Sequence, residues 1–428
     1  SMSRQLRNLF ASMEEQDINE TDIVVSPDET LEEEVAEVAE SSGEVEEIAD
    51  TQEELEDIQE GLESIAISLE SAIADGGLDS QAATFMQLAV DSYTTRLGMG
   101  ASAVVPSLES FGGASGRVAA TTISLEGIKE TIEKIWQAIK NAVAKAIEAV
   151  KNFFAKIFGG VGKLKTRAEA LKKTVDELSG NAKEKKMKAP AASILHVNGE
   201  VEAAAVIKGL TQTNATGKLV MDEVLASAKE FYNQAPQKVL NPEGLKASDE
   251  NRLEGIVDGA GQRFVVASSK ITTVSSRMSG DTVYRREQTT GGTTLKALET
   301  PKLVRNALNK SVNEGVEVDT PSKADLVKMV DEVTTLISLL ESKKSKLEEL
   351  SKAREEASKA SEKAVDTMKR NAVDGVVKTA RISMALRAVN KDLARPVVDF
   401  CSFGFGVARG ALAYIDRAVT AYGVQKKD

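Results

Sequence analysis

One cysteine and one histidine stand among 428 residues. Cys401 alone excludes an internal disulfide and any cysteine-built zinc site, and it fits a reducing compartment. His196 alone rules out a multi-histidine metal centre and leaves little for a histidine-based triad, so no metal or cofactor is expected. Aromatics make up 4% of the chain and prolines number 8, which argues against a strand-rich sandwich. Ala, Glu, Lys, Val and Leu dominate instead and favour helices. No uninterrupted apolar run reaches the roughly 18–20 residues of a spanning helix. The ATGK at 215–218 has Gln212 where a phosphate loop needs its upstream glycine, so a nucleotide site is rejected. An enzyme is the weakest of the classes considered.

Basic charge is also missing over a long stretch. Residues 8–95 contain no Lys or Arg. Residues 1–95 hold 2 basic and 26 acidic residues, a net of −24, while residues 96–428 hold 52 and 40, a net of +12. The overall −12 is therefore the sum of two opposite parts, an acidic leader and a basic body. Residues 2–13 offer a short amphipathic helix through Leu6, Leu9, Phe10 and Met13. Farther on, Val35, Val38, Val45, Ile48, Leu55, Ile58, Leu62, Ile65 and Leu69 recur at helical spacing. Like charges four residues apart repel along most of this run, so a partly disordered leader, loosely packed over residues 14–60, is expected across 1–109.

The tripeptide Ser/Gly-Leu-Glu occurs four times, ending at Glu63, Glu70, Glu109 and Glu126, and never after residue 126. Three residues are a weak signal singly; their clustering between leader and body carries the weight. The segment around Glu109, GMGASAVVPSLESFGGASGRVAATT (98–122), is rich in Gly, Ala and Ser and reads as an open linker, drawn over 110–126. Proteases bind extended chain, which makes Glu109 the first choice for a cut and Glu126 the second.

The body opens with the strongest helical signal. Ile128, Ile132, Ile135, Ile139, Ala142, Ala146, Val150, Phe153 and Ile157 follow steps of three and four, with Ser124 and Gly127 at the start and Gly159-Gly160 as a stop. Lys129, Lys134, Lys140, Lys145, Lys151 and Lys156 line the polar face, and Lys163 and Lys165 follow. Residues 127–188 hold 15 basic and 7 acidic residues. Such a region suits either the core of a bundle or contact with a polyanion or membrane surface. Residues 189–321 read as a small mixed α/β region: an Asn198-Gly199 turn, helices near 200–209 and 217–233, and strands in 263–276 and 281–287. Residues 322–428 read as a helical hairpin or bundle. Leu326, Met329, Val330, Val333, Leu336, Leu340, Leu347 and Leu350 form one stripe, Val376 to Leu393 a second helix ended by Pro396, and the glycine-broken apolar segment from Pro396 a buried helix. The fold class is mainly α.

The acidic leader, PSLESFGG at 106–113 and EGIKETIEKIWQAIKNAVAKAIEAVKNFFAKIFGG at 126–160 together resemble the internal head proteins of large contractile-tailed bacteriophages. The resemblance implies packaging in the procapsid beside other capsid interior proteins and removal of an N-terminal propeptide by a prohead protease. It also implies residence inside the phage head, and delivery with the genome into a host where a host factor is a further partner. Cleavage in that group falls after a glutamate two residues beyond a small or aliphatic one, a condition that Glu63, Glu70, Glu109 and Glu126 meet. A basic body can share a compartment with packaged DNA through nonspecific phosphate neutralisation, with the eight lysines from Lys129 to Lys165 as candidate contacts. Two other classes are a membrane-active or pore-forming helical protein and a procapsid scaffold or core component.

Overall fold

A computed structural model describes residues 31–239, 266, 269–272, 276–287, 302–308, 310–371 and 394–424. The amphipathic segment at 2–13 and the helix expected over 376–393 lie outside these residues. The first element, α1 (Leu31–Ala74), is 44 residues long. Its apolar positions Val38, Val45, Leu55, Ile58, Leu62 and Leu69 are buried, and Glu40, Glu44, Glu47 and Asp57 face solvent. The loose packing expected for residues 14–60 therefore fails from Val38 onward. Repulsion among the carboxylates acts on the outer face of the helix, whereas the inner face gains about 1.5–3 kcal/mol for each large side chain removed from water.

The chain turns at Gly76-Gly77, both with positive φ, and enters α2 (Ser80–Thr94), whose start Asp79 caps by accepting from the Ala82 N–H at 2.8 Å. Three short 3-10 turns follow, at Thr95–Leu97, Ala101–Ala103 and Leu108–Phe111. The spine comes next. It is α3 (Ala114–Asp176), a single helix of 63 residues, about 95 Å long.

Two expectations change here. The segment drawn as a linker is helical from Ala114, and Gly159-Gly160 does not stop the helix. Each mid-helix glycine costs about 1 kcal/mol, but Phe153, Phe154, Ile157, Val161 and Leu164 on either side are buried, and that packing outweighs the local preference.

Beyond the spine lie β1 (Lys186–Lys188), a one-turn helix α4 (Ala192–Leu195) and α5 (Ala203–Leu219). A π-helical turn (Val220–Val224) joins α5 to α6 (Leu225–Val239), so the two helices expected in this region are continuous. Asn198 and Gly199, both at positive φ, make the expected tight turn, but only Val197 and Glu200 pair across it. β2 (Thr282–Glu287) and β3 (Lys302–Ala307) are antiparallel, as are β1 and β4 (Glu317–Asp319). The strand expected within 263–276 is not formed at its described positions. Residues 266 and 269–272 are helical, with Ile271 buried and Lys270 paired to Glu223 at 3.2 Å.

The last three helices are α7 (Lys323–Glu341), α8 (Lys344–Asn371) and α9 (Arg395–Ala421). Lys323 reaches the carbonyls of Asp176 and Leu178, Glu341 pairs with Lys165, and Glu355 with Lys151. α7 and α8 thus follow one path antiparallel to the spine, and the second arm of the expected hairpin, over 376–393, lies outside the described residues. Leu336, Leu340, Leu347 and Leu350 are all buried, as their spacing predicts.

Pro396 sits in the first turn of α9, where its missing N–H is harmless. The glycines of α9 do not break it. Gly404 lies against Leu336 and Leu340, and Gly406 and Gly410 against Ile194. On α5, Gly217 leaves room for the Phe400 ring: a Cβ there would stand 2.1 Å from it. By length and composition α9 could cross a membrane, but 78% of its apolar window is buried inside the protein.

Candidate processing sites and the lysine rows of the spine

The four candidate glutamates occupy four different settings. Glu63 is buried in the middle of α1. Glu70, also in α1, is half-buried, with Lys129 of the spine 3.6 Å away. Glu126 is exposed but lies inside α3. Glu109 is exposed in the Leu108–Phe111 turn, together with Ser107, Leu108 and Ser110, and Phe111 alone anchors that turn in the core.

The leader is held by apolar contact and by a few ion pairs. Arg395, at the start of α9, meets Glu46 at 3.4 Å, Asp50 at 2.9 Å and Glu53 at 3.9 Å. Arg96 pairs with Asp57 at 2.7 Å and Glu54 at 3.4 Å inside the leader itself. Burial opposes the Arg96 charge, but its two carboxylates more than offset this and raise its pKa. Gly61 accommodates the Tyr93 ring of α2, and Gly127 of the spine is pressed on the Val104 carbonyl, where a Cβ would lie 2.0 Å from the oxygen.

The eight lysines do not form one patch. At about 100° per residue, steps of eleven residues return to nearly the same face. Lys129, Lys140 and Lys151 therefore make one row and Lys134, Lys145 and Lys156 a second, about 140° away, and by the same angle per residue Lys165 falls on the first and Lys163 on the second. The first row faces other helices. Lys129 meets Glu70, Lys151 meets Glu355 at 2.7 Å, Lys165 meets Glu341 at 3.2 Å, and half-buried Lys140 lies over the Trp136 ring at 5.9 Å. The second row faces solvent, and there Lys134 pairs with Glu130 one turn back. The eleven-residue repeat is visible in the sequence and is the signal there that separates the two rows.

One polar cluster is announced by no motif. Tyr284 of β2 donates to the Asp399 carboxylate at 2.7 Å, and Arg305 of β3 bonds the same group at 3.1 and 3.2 Å while stacking 4.2 Å above Phe403. Burial first, then the Asp399 charge, pushes the Tyr284 hydroxyl well above the usual phenol range. Burial also pushes up the Cys401 thiol next to it. These bonds fasten the β2–β3 ribbon to α9. His196 is buried and accepts from the Gly199 N–H at 3.3 Å, a structural contact. Among the described residues, no group of three or more His, Cys, Asp and Glu could hold a metal ion.

The family model for phiKZ-like phage internal head proteins matches residues 28–417, most of the chain. The chain belongs to that family. No curated protein and no solved structure matches it. An internal head protein resides in the interior of the virion, and the match runs through the leader helix, the spine and α9 alike. The acidic leader is thus part of what defines this internal head protein, together with its body.

Proposed function

We propose that this internal head protein is made as an acidic precursor, enters the procapsid with other capsid interior proteins, and is matured by a prohead protease cutting after Glu109. One observation supports the choice of site: of the four candidate glutamates, Glu109 alone is exposed and outside an α-helix. Accessible, irregular backbone is what a protease can bind without first unwinding a helix. The cut removes 3 basic and 27 acidic residues and leaves a body with 51 and 39, net +12. That body can lie against packaged DNA without reading its sequence, with Lys134, Lys145, Lys156 and Lys163 as the solvent-facing row. Delivery with the genome and contact with a host factor follow as later steps.

A membrane-active role is the less favoured reading, because α9 is largely buried within the bundle. Mass spectrometry of the protein recovered from its own particles tests the proposal. Ser110 is expected as the N-terminus that the first cut exposes, and a Glu109→Gln chain should not yield it. Particles that contain only the full-length chain would refute propeptide removal altogether.

A further inference from the structure

We infer that Glu126 is a latent second processing site, closed while the leader is seated on the spine and opened by the cut after Glu109. This rests on the reading of Glu109 as the first site. Ser68-Leu69-Glu70, Ser107-Leu108-Glu109 and Ser124-Leu125-Glu126 are the same tripeptide. A protease that reads only these residues cannot rank them, so any order of cutting must come from the fold.

Glu126 is exposed, yet its bond to Gly127 lies inside α3, and Ser124 and Leu125 on its N-terminal side are buried. To be cut there, residues 114–126 must leave the helix. Beside the Ser110 carbonyl, which lies against Gly116, several contacts that hold this stretch in place come from the leader. The Leu78 N–H donates to Thr121 Oγ1 at 2.9 Å, and Gly77 packs on the backbone at Arg117 and Val118. The Val104 carbonyl bears on Gly127, and Glu70 pairs with Lys129. Each of these partners precedes residue 109.

Hydrolysis after Glu109 adds one water across the peptide bond, leaving a carboxylate on Glu109 and an amine on Ser110. The leader is then a separate chain held only by noncovalent contact. Once it departs, residues 114–126 are the bared end of a helix. Stripped of its packing, such an end is held by helix propagation alone, which is close to neutral per residue, and its Gly116, Val118, Thr121, Thr122 and Ile123 are poor helix formers. The end frays, the Ser-Leu-Glu at 124–126 becomes extended, and the second cut trims it. A Glu126 cut leaves 50 basic and 38 acidic residues, so the charge of the body stays at +12 and the trimming serves shape rather than charge.

A glutamate-specific endoprotease supplies a probe independent of the phage enzyme. In a time course on the full chain followed by mass spectrometry, the cut after Glu109 is expected first and the cut after Glu126 after a lag. In the Glu109→Gln chain, with cutting limited to the first few bonds, the Glu126 cut should slow at least tenfold. Equal rates at Glu126 in the two chains would overturn the inference. Hydrogen exchange over residues 114–128 gives a second measurement. Protection should collapse once the cut leader separates, and unchanged protection would equally overturn the proposed order. Failure of the maturation reading shows up elsewhere, as a particle protein beginning at neither Ser110 nor Gly127. That result would not alter the order measured with the probe enzyme.

Discussion

The two halves of the spine are packed in different ways. Toward its N-terminus, α3 is covered by α1, α2 and the turns between them, with Leu62, Leu69, Val90 and Phe111 on one side and Leu125, Ile128 and Ile135 on the other. Toward its C-terminus it is enclosed by α7, α8 and α9, where Phe153, Phe400, Phe405 and Tyr414 are fully buried. The polar fastenings differ as well. Ion pairs occur along both, Glu70–Lys129 in the leader half and Lys151–Glu355 and Lys165–Glu341 in the other. The other half adds side chains bonded to backbone inside the fold, such as the Tyr414 hydroxyl on the Val201 carbonyl at 2.9 Å. Exposed ion pairs contribute about 0–1 kcal/mol and weaken with salt, whereas bonds of the second kind are costly to leave unmade. One helix therefore carries a lightly fastened cover toward one end and a more deeply fastened core toward the other, a difference that the proposed maturation would use.

The largest effect should come from the C-terminal half. Phe400→Ala empties the space beside Gly217 and Phe403 and is expected to cost about 3–5 kcal/mol in global unfolding by urea. Leu62→Ala strikes the cover, with a local cost of about 2–5 kcal/mol. Hydrogen exchange should rise in α1 and in residues 114–128 while α7 and α9 keep their protection. Loss of protection in all of them together would erase the distinction between the halves. Arg395→Ala removes the three contacts to α1, whose carboxylates are largely exposed. It should cost less than about 1 kcal/mol, and raising salt should shrink the difference from the parent chain.

Much of the fold is legible in the amino-acid sequence, for reasons that separate local signals from tertiary ones. The stripe from Ile128 to Ile157 is a long, strongly periodic pattern, and it forms the helix it predicts. Leu336 and Leu340 are legible on the same grounds. The helix of the leader is legible in its spacing too, but its close packing is not, because a tally of charge says nothing about which face the charges occupy; Val38, Val45, Leu55 and Leu62 are the buried face. The stop at Gly159-Gly160 fails because propensity is local and the burial around it is not. The Tyr284–Arg305–Asp399 cluster joins residues up to 115 positions apart, and no short motif announces such a contact. At the candidate sites, the sequence marks four chemically similar glutamates, and only the fold makes them unequal.

The length of the spine has a consequence of a different kind. A compact body of 428 residues has a radius of gyration of about 22 Å, and α3 alone is roughly four times as long as that. The longest dimension of the molecule is therefore at least the roughly 95 Å of this one helix. A cut after Glu109 leaves every residue of α3 in the body, whereas a cut after Glu126 removes 13 of them, about 20 Å of helix. Which bond was broken is thus written in the size of the particle that remains, and small-angle scattering could read it without sequencing an end.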